Sequence, residues 1–245
     1  MSREKYATEI KIRTKNGIEN MWLAKTAALE KKSSGLMTEI IGKVYRLCCE
    51  GFSQEDTAAF RQDVERHVRE EKICLIFEDQ RKRLTYTEVH CNKLKAFASY
   101  RIMRVGHEEI LYVSAVVVAP KMQRQNIASA LIGELLKTEG LTRFALRTQN
   151  PVMCKSVSRV RARVYPPLFG RADIPDEILD LGAAVAAELG MERYHRDLMT
   201  EPGTYGGHCL YGEEPRLEDA AQNESIADLI RMHDGDSMIM IGVVG

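Results

Sequence analysis

The feature that most limits how this chain can fold is one run, EILYVSAVVVAPKMQRQNIASALIGELLKTEGLTRFALRTQN, from Glu109 to Asn150. Val113 to Val118 is an apolar, valine-rich block of strand length. Ala119-Pro120 stops it, and a polar segment follows from Lys121 to Asn126. Ile127, Ala130, Leu131, Gly133, Leu135 and Leu136 recur at helical spacing, which predicts a helix to about Lys137. Gly140 stands where a C-terminal glycine cap belongs, and Thr142 to Thr148 reads as another strand. The unit is strand, polar loop, helix, strand, with a crossover of the length that parallel strands require.

The loop in this unit suggests what it holds. A helix N-terminus leaves unpaired N–H groups and the positive end of the helix dipole, which together attract an anion. Gln123, Arg124, Gln125 and Asn126 add amide and guanidinium donors ahead of Ile127, and the small Ala128 lets a phosphate approach the backbone. A phosphate-bearing ligand follows from these residues, against the plainer reading of a crossover loop that binds nothing.

Gln123-Arg124-Gln125-Asn126-Ile127-Ala128, placed after a strand ending in Val118-Ala119-Pro120, resembles motif A of the GNAT superfamily of acyl-CoA-dependent N-acyltransferases. That motif reads Gln/Arg-x-x-Gly-x-Gly/Ala. Gln123 matches its first position and Ala128 its last; Asn126 stands where the family has glycine, and Asn is the next best residue for an unusual backbone angle. The resemblance is strong from about Lys95 to Pro151. It implies a mixed α/β fold, a central mixed sheet flanked by helices, with acetyl-CoA as co-substrate and no metal. It also implies that Val116, Val117 and Val118 lie along the pantetheine arm, one backbone N–H polarising the thioester carbonyl. Gln123 to Ser129, that is Gln123, Arg124, Gln125, Asn126, Ile127, Ala128 and Ser129, would hold the phosphates.

Asn150-Pro151 combines a favoured N-cap with a favoured first helical residue, predicting a helix from Pro151 to about Val164, ended by Pro166-Pro167. In the family an Asn here commonly touches the pantetheine arm, so Asn150 is either a cap alone or a cap and a ligand contact. The family also often carries a tyrosine in this helix that protonates the leaving thiolate; here the helix reads Ser156-Val157-Ser158. Tyr165 substitutes, or Cys154, Ser156 or a water does, or there is no dedicated acid. A base must take the proton of the attacking amine; Glu109 is the candidate, with His107 and Glu108 as neighbours in the turn. Lys155, Arg159, Arg161, Arg163 and then Arg171 follow without an intervening acid: a solvated basic face, or help for an anionic group.

Ile10, Ile12 and Ile18 suggest a short strand or hairpin in residues 1–35, an N-terminal extension ending in a linker-like Lys31 to Gly35. Trp22 is a core anchor or a docking residue. The GNAT-like domain is expected over 36–245, its core at 36–170 and an insertion with closing strands at 171–245. Met37, Ile40, Ile41, Val44, Leu47 and Cys48 define one helix ended by Gly51. Ser53 caps the next, whose apolar face is Phe60, Val64 and Val68, with His67 beside it. In the GNAT fold these helices border the acceptor site, which gives Cys48, Cys49 and Phe52 an acceptor-facing role. Ile73 to Phe77 is a strand, Asp79 to Arg83 a polar turn, Leu84 to His90 a further strand by alternation, and Lys95 to Arg104 a strand before the Val105-Gly106-His107 turn.

Beyond Pro175-Asp176-Glu177 a helix runs through Ile178, Leu181 and Leu189 to Gly190. Pro202 to Gly207 is a loop that can reach the acceptor, with His208 as a second base candidate. His208 to Tyr211 is expected as a strand, Ile226 to Met232 as a helical piece, and Ser237 to Val244 as the closing strand.

Composition narrows the partners. Acids and bases balance at 35 each, so no net field draws the chain to nucleic acid or to a membrane, and no apolar run reaches transmembrane length. The N-terminus is polar and unlike a secretory signal. The six cysteines form no CxxC pair, which fits reduced thiols in the cytoplasm. The expected function is transfer of an acetyl group from acetyl-CoA to an amine, small molecule or protein, by direct attack on the thioester. The alternative is a non-catalytic acyl-CoA-binding regulatory module. A third reading is an interaction protein that keeps only the fold, with the tail as a homodimer interface.

Overall fold

The computed structural model describes residues 7–15, 17–70, 72–77, 86–167 and 173–245. The fold is mixed α/β, a mixed sheet flanked by helices. The chain divides into two compact units, one of residues 1–101 with 113–131, the other of residues 102–112 with 132–245.

In the first unit β1 (Ala7–Thr14) and β2 (Gly17–Lys25) form an antiparallel hairpin, Thr14 opposite Gly17. The hairpin joins β3 (Lys72–Phe77), placing Trp22 opposite Leu75, and β3 joins β4 (Leu94–Val105), placing Leu75 opposite Phe97. Trp22 is buried in the core, so packing accounts for it. Helices α1 (Thr26–Lys32) and α2 (Ser34–Phe52) meet at Ser33, whose side chain accepts the Leu36 N–H at 3.3 Å. Lys31 to Gly35 is therefore a helix junction and not a linker.

Two further expectations change here. Helix α2 does not stop at Gly51; it ends when Ser53 takes φ +50, a left-handed angle that no helix continues through. Ser53 thus closes α2, and the cap of α3 (Ala58–Val68) is Thr57, which accepts the Phe60 N–H at 3.2 Å. In place of a strand around Leu84 to His90 there is a helix, α4 (Tyr86–Cys91). Three alternating residues are too short a run to separate the two periods. Leu84 itself and the expected turn at Asp79 to Arg83 lie outside the described residues.

Strand β5 (Glu108–Val118) and helix α5 (Ile127–Glu139) each pass from one unit into the other. The second unit continues with β6 (Arg143–Thr148), the short helix α6 (Pro151–Val157), β7 (Arg163–Tyr165), α7 (Asp176–Glu188), β8 (Thr200–Glu201), α8 (Ala220–Ala227) and β9 (Ser237–Val243). β9 is the organising strand: β6, β7 and β8 all pair with it antiparallel. Its face joins Ile239 and Ile241 to Ala145, Ile110, Tyr112 and the α7 residues Ile178, Leu181 and Val185.

The helix expected to reach Val164 ends at Val157, because Arg163, Val164 and Tyr165 pair with Val243, Gly242 and Ile241 of β9. Lys155, Arg159, Arg161 and Arg163 therefore do not share a helix face. His208 to Tyr211 makes bends and not a strand, and the helix of the acid-rich tail, α8, sits earlier than Ile226 to Met232.

Candidate functional site

Strand β5 carries a register change. The two-residue turn Gly106-His107, with Gly106 at φ +61, sets Val105 opposite Glu108; the Arg104–Glu109 ion pair at 3.7 Å agrees. Held to the end, that register would bring Lys95 opposite Val118. Instead the Ala119 N–H bonds the Lys95 carbonyl at 2.8 Å, one residue further on. The side chains agree: on β4 from Phe97 onward the inward set stays odd, with Phe97 in one core and Met103 and Val105 in the other, while on β5 it changes from Ile110 and Tyr112 to Ala115 and Val117. One extra residue lies between Tyr112 and Ala115, a β-bulge that re-aims the strand's C-terminal end. Ser114, within it, has its Oγ enclosed without a partner among the described residues.

Beyond the bulge, Val116 and Val118 are half-buried and Val117 is buried. A Cβ on Gly51 would stand 2.8 Å from Val117 Cγ1, so the end of α2 lies directly on this strand. Of the α2 residues considered for the acceptor, Cys48 is buried, and Cys49 and Phe52 are half-buried against the same core. Burial pushes the Cys48 thiol up to about 12, which keeps it protonated and unreactive. Nearby, Tyr45 Oη donates a short hydrogen bond to Asp56 Oδ1, and the Arg61 guanidinium lies 4.4 Å over the Tyr45 ring. The bond to Asp56 pushes Tyr45 up to about 12 and holds Asp56 below its usual range.

The loop after β5 has unusual backbone at two ordinary residues. Arg124 is at φ +64 and Asn126 at φ +63. Asn126 was expected to tolerate such an angle; Arg124 gives no sign of it in the sequence. Left-handed residues just ahead of a helix N-terminus turn backbone N–H groups into a concavity suited to an anion. Helix α5 begins immediately after, its first intrahelical bond running from the Ala130 N–H to the Asn126 carbonyl at 2.9 Å, with Ser129 Oγ donating to the same carbonyl at 3.0 Å. Gln123 turns back to the strand, Nε2 donating to the Val118 carbonyl at 3.2 Å. The first unit thus brings Val116 to Val118 and Gln123 to Ser129 together. Ala128 is half-buried and offers only a methyl group at the helix start.

In the second unit Asn150 caps α6, its Oδ1 accepting from Val152 N at 2.8 Å and Met153 N at 3.2 Å. With Oδ1 committed, the amide Nδ2 is what remains to donate. Burial raises the Tyr211 phenol above its ordinary range, and the Asn150 side chain opposes this in part. Tyr211 was absent from the sequence-based candidates; the glycine-rich loop just before it was their nearest signal.

That loop is held from beneath. Gln149, 1% exposed, accepts the Leu210 N–H at 2.7 Å and donates to the Asp236 carbonyl at 3.4 Å. Buried Asp236 accepts from Gly203 N at 3.0 Å and Arg231 N at 3.1 Å. Buried Glu201 accepts from Arg193 N and from Thr204 Oγ1, each at 3.0 Å. Gly235 is required here: a Cβ would stand 2.9 Å from the amide nitrogens of Gly207 and His208. Tyr205 lies under Arg147, 5.5 Å from ring centroid to guanidinium. His208 itself is exposed.

The remaining candidates lie elsewhere. Tyr165 is on β7, opposite Ile241, half-buried against the α7 core. Glu109 is an exposed residue at the start of β5, paired with Arg104. The six cysteines are free thiols. Among the described residues no helix is long and apolar enough to cross a membrane.

Residues 43–155 match the model of the acetyltransferase (GNAT) family. Comparison with curated proteins gives no match. Among solved structures, a candidate arylalkylamine N-acetyltransferase 7 from the yellow fever mosquito Aedes aegypti is similar at 11% identity, covering 67% of this chain and 84% of that one, with a TM-score of 0.42. A GNAT-family acetyltransferase from Bacillus anthracis is similar at 14% identity, covering 64% and 85%, with a TM-score of 0.39. Chaetomium thermophilum Naa20, solved with a bisubstrate analogue, is similar at 13% identity, covering 84% and 83%, with a TM-score of 0.38. The chain carries, over residues 43–155, a GNAT acetyltransferase domain.

Proposed function

We propose that the protein is an N-acetyltransferase that moves the acetyl group of acetyl-CoA to an amine by direct attack on the thioester. The observation that carries this is the loop before α5: two non-glycine residues, Arg124 and Asn126, held left-handed at the mouth of a helix N-terminus. Such angles cost about 1–3 kcal/mol each and persist where the surroundings over-determine them, typically at ligand sites. The residues fit an acyl-CoA: backbone N–H groups of Ile127, Ala128 and Ser129 for the pyrophosphate, and no acidic side chain from Gln123 to Ser129.

Bound acetyl-CoA supplies the thioester carbonyl. In this reading the backbone of Val116 to Val118, beyond the bulge, donates an N–H to the developing oxyanion. The second unit carries its own candidate for the proton of the departing thiolate, the Tyr211 phenol that the Asn150 side chain influences. Tyr165, half-buried on β7, is the other phenol available for this role. The proton of the attacking amine passes to a base, for which Glu109 is the candidate, or to solvent.

A thermal-shift titration with acetyl-CoA, CoA and longer acyl-CoAs tests the reading, since a ligand that binds only the folded state raises its apparent stability. A saturable rise is expected, lost in Ala128→Asp, which puts a carboxylate at the phosphate position. An acceptor screen following thiol release then checks turnover. No shift at millimolar ligand, or an unchanged shift in Ala128→Asp, overturns the assignment.

A further inference from the structure

The peptide N–H of Lys15, in the turn of the β1–β2 hairpin, donates to the Gln125 carbonyl at 3.0 Å. Gln125 is the residue between left-handed Arg124 and Asn126. Its side chain is also engaged locally, Nε2 donating to the Lys121 carbonyl at 3.4 Å, while its Oε1 is enclosed without a partner among the described residues. The hairpin is anchored close by. Glu19 of β2 pairs with Lys95 of β4 at 3.3 Å, both side chains largely buried, and the Lys95 carbonyl takes the Ala119 N–H at the end of β5. The hairpin is thus fastened both to the strand that enters the loop and to the loop's middle peptide.

We infer that the Thr14–Gly17 turn is a positioning element for the 124–126 loop, acting through the Lys15 N–H. A loop with two unfavourable backbone angles has more relaxed alternatives close in energy, and a fixed donor on the carbonyl between them selects the left-handed form. The turn can spare this N–H: Thr14 pairs with Gly17, so Lys15 begins the turn, and its own N–H is directed outward to Gln125. The exposed Lys15 side chain is not part of the device. The consequence for ligand affinity rests on the acyl-CoA reading above; the consequence for the loop does not.

The test compares Lys15→Pro with Lys15→Ala in the full chain. Proline is favoured at the first central position of type I and II turns, and Lys15 is not among the residues with positive φ, so Lys15→Pro keeps the turn and deletes the donor. Lys15→Ala removes the charge and keeps the donor. Amide hydrogen exchange over Lys121 to Ala128, without any ligand, is expected to quicken about tenfold in Lys15→Pro and not in Lys15→Ala. Exchange over β2 and β3 should stay unchanged, which reports that the hairpin is intact. Calorimetric titration with CoA is expected to show about tenfold weaker binding for Lys15→Pro alone. Unchanged loop exchange in Lys15→Pro overturns the inference, and so does an equal effect of Lys15→Ala. Faster loop exchange with no CoA binding by the wild-type protein would sink the acyl-CoA reading and leave the positioning role standing.

Discussion

Asn126 can be tested by two substitutions that differ only in a Cβ. Asn126→Gly and Asn126→Ala both lose the side-chain amide, so whatever that amide does cancels in their comparison. What remains is the cost of holding a Cβ at φ +63. A left-handed residue with a Cβ pays about 1–2 kcal/mol, of which Gly pays essentially none. Glycine's larger freedom in the unfolded chain takes back about 0.5–1 kcal/mol. The alanine variant is therefore expected to be the less stable by about 0.5–1 kcal/mol, or roughly 1–4 °C in Tm for a chain of this size. In scanning calorimetry the order should be Gly above Ala, with Asn126→Val lowest because a β-branched residue tolerates this angle least. CoA affinity should follow the same order if the loop conformation is what binds. Ala equal to or more stable than Gly would refute the left-handed assignment at 126, and equal CoA affinities across the three would refute the loop's role in binding.

Two further substitutions probe the packing around the site. Gly242 lies opposite Phe144 in the β6–β9 pair, and a Cβ there would stand 1.9 Å from Cε1 of a fully buried ring. Gly242→Ala is expected to cost about 1–3 kcal/mol by overpacking, with partial recovery in combination with Phe144→Leu; an unchanged Tm would show that the ring has room to move. Tyr45 has its folded pKa raised from 10.0 to about 12, so the stability its proton provides is whole below pH 10 and is lost as pH rises through about 12; Asp56, lowered, contributes above its unfolded value near 3.9 and loses this as pH falls through its folded value. Tyr45→Phe should flatten Tm against pH in both windows relative to wild type, and identical curves would show that the pair does not couple to folding.

The loop was legible because its determinants are local. A valine block, Ala-Pro, a polar hexapeptide, helical spacing and a glycine cap fix strand, turn and helix within one short run. Even the angle at Asn126 could be argued from residue type. The bulge in β5 could not, because Ile110 to Val113 are all buried, and a strand covered on both faces shows no period from which to read a change of face. The same local logic failed at Arg163 to Tyr165, where helical spacing from Pro151 suggested one long helix. There the edge of β9 supplies ladder partners that no neighbouring residue advertises. Ser53 failed for a different reason: a residue type that caps a helix start also tolerates the left-handed angle that ends one, and only the backbone decides between them.

Asn150 divides between these two kinds of information within a single side chain. Its acceptor half does local work, capping α6 through Val152 and Met153, and that half follows from the Asn-Pro sequence. Its donor half is left for a partner outside the helix, and the Tyr211 phenol, far along the chain, responds to this side chain; nothing local predicts that. The two halves can be separated chemically. Asn150→Asp keeps an equally good N-cap, and a carboxylate at a helix start is favourable besides. It replaces the amide donor by an oxygen that can only accept, so any bond between the two side chains must then use the phenol's own proton. If Tyr211 protonates the leaving thiolate, Asn150→Asp takes that proton out of service while α6 stays folded. Turnover is expected to fall by about 10²-fold or more, the ordinary worth of a positioned general acid, with Tm and CoA affinity close to wild type. A lowered Tm with unchanged turnover per folded molecule would mean that Asn150 is a cap and Tyr211 a packed neighbour, and the acid would have to be sought elsewhere.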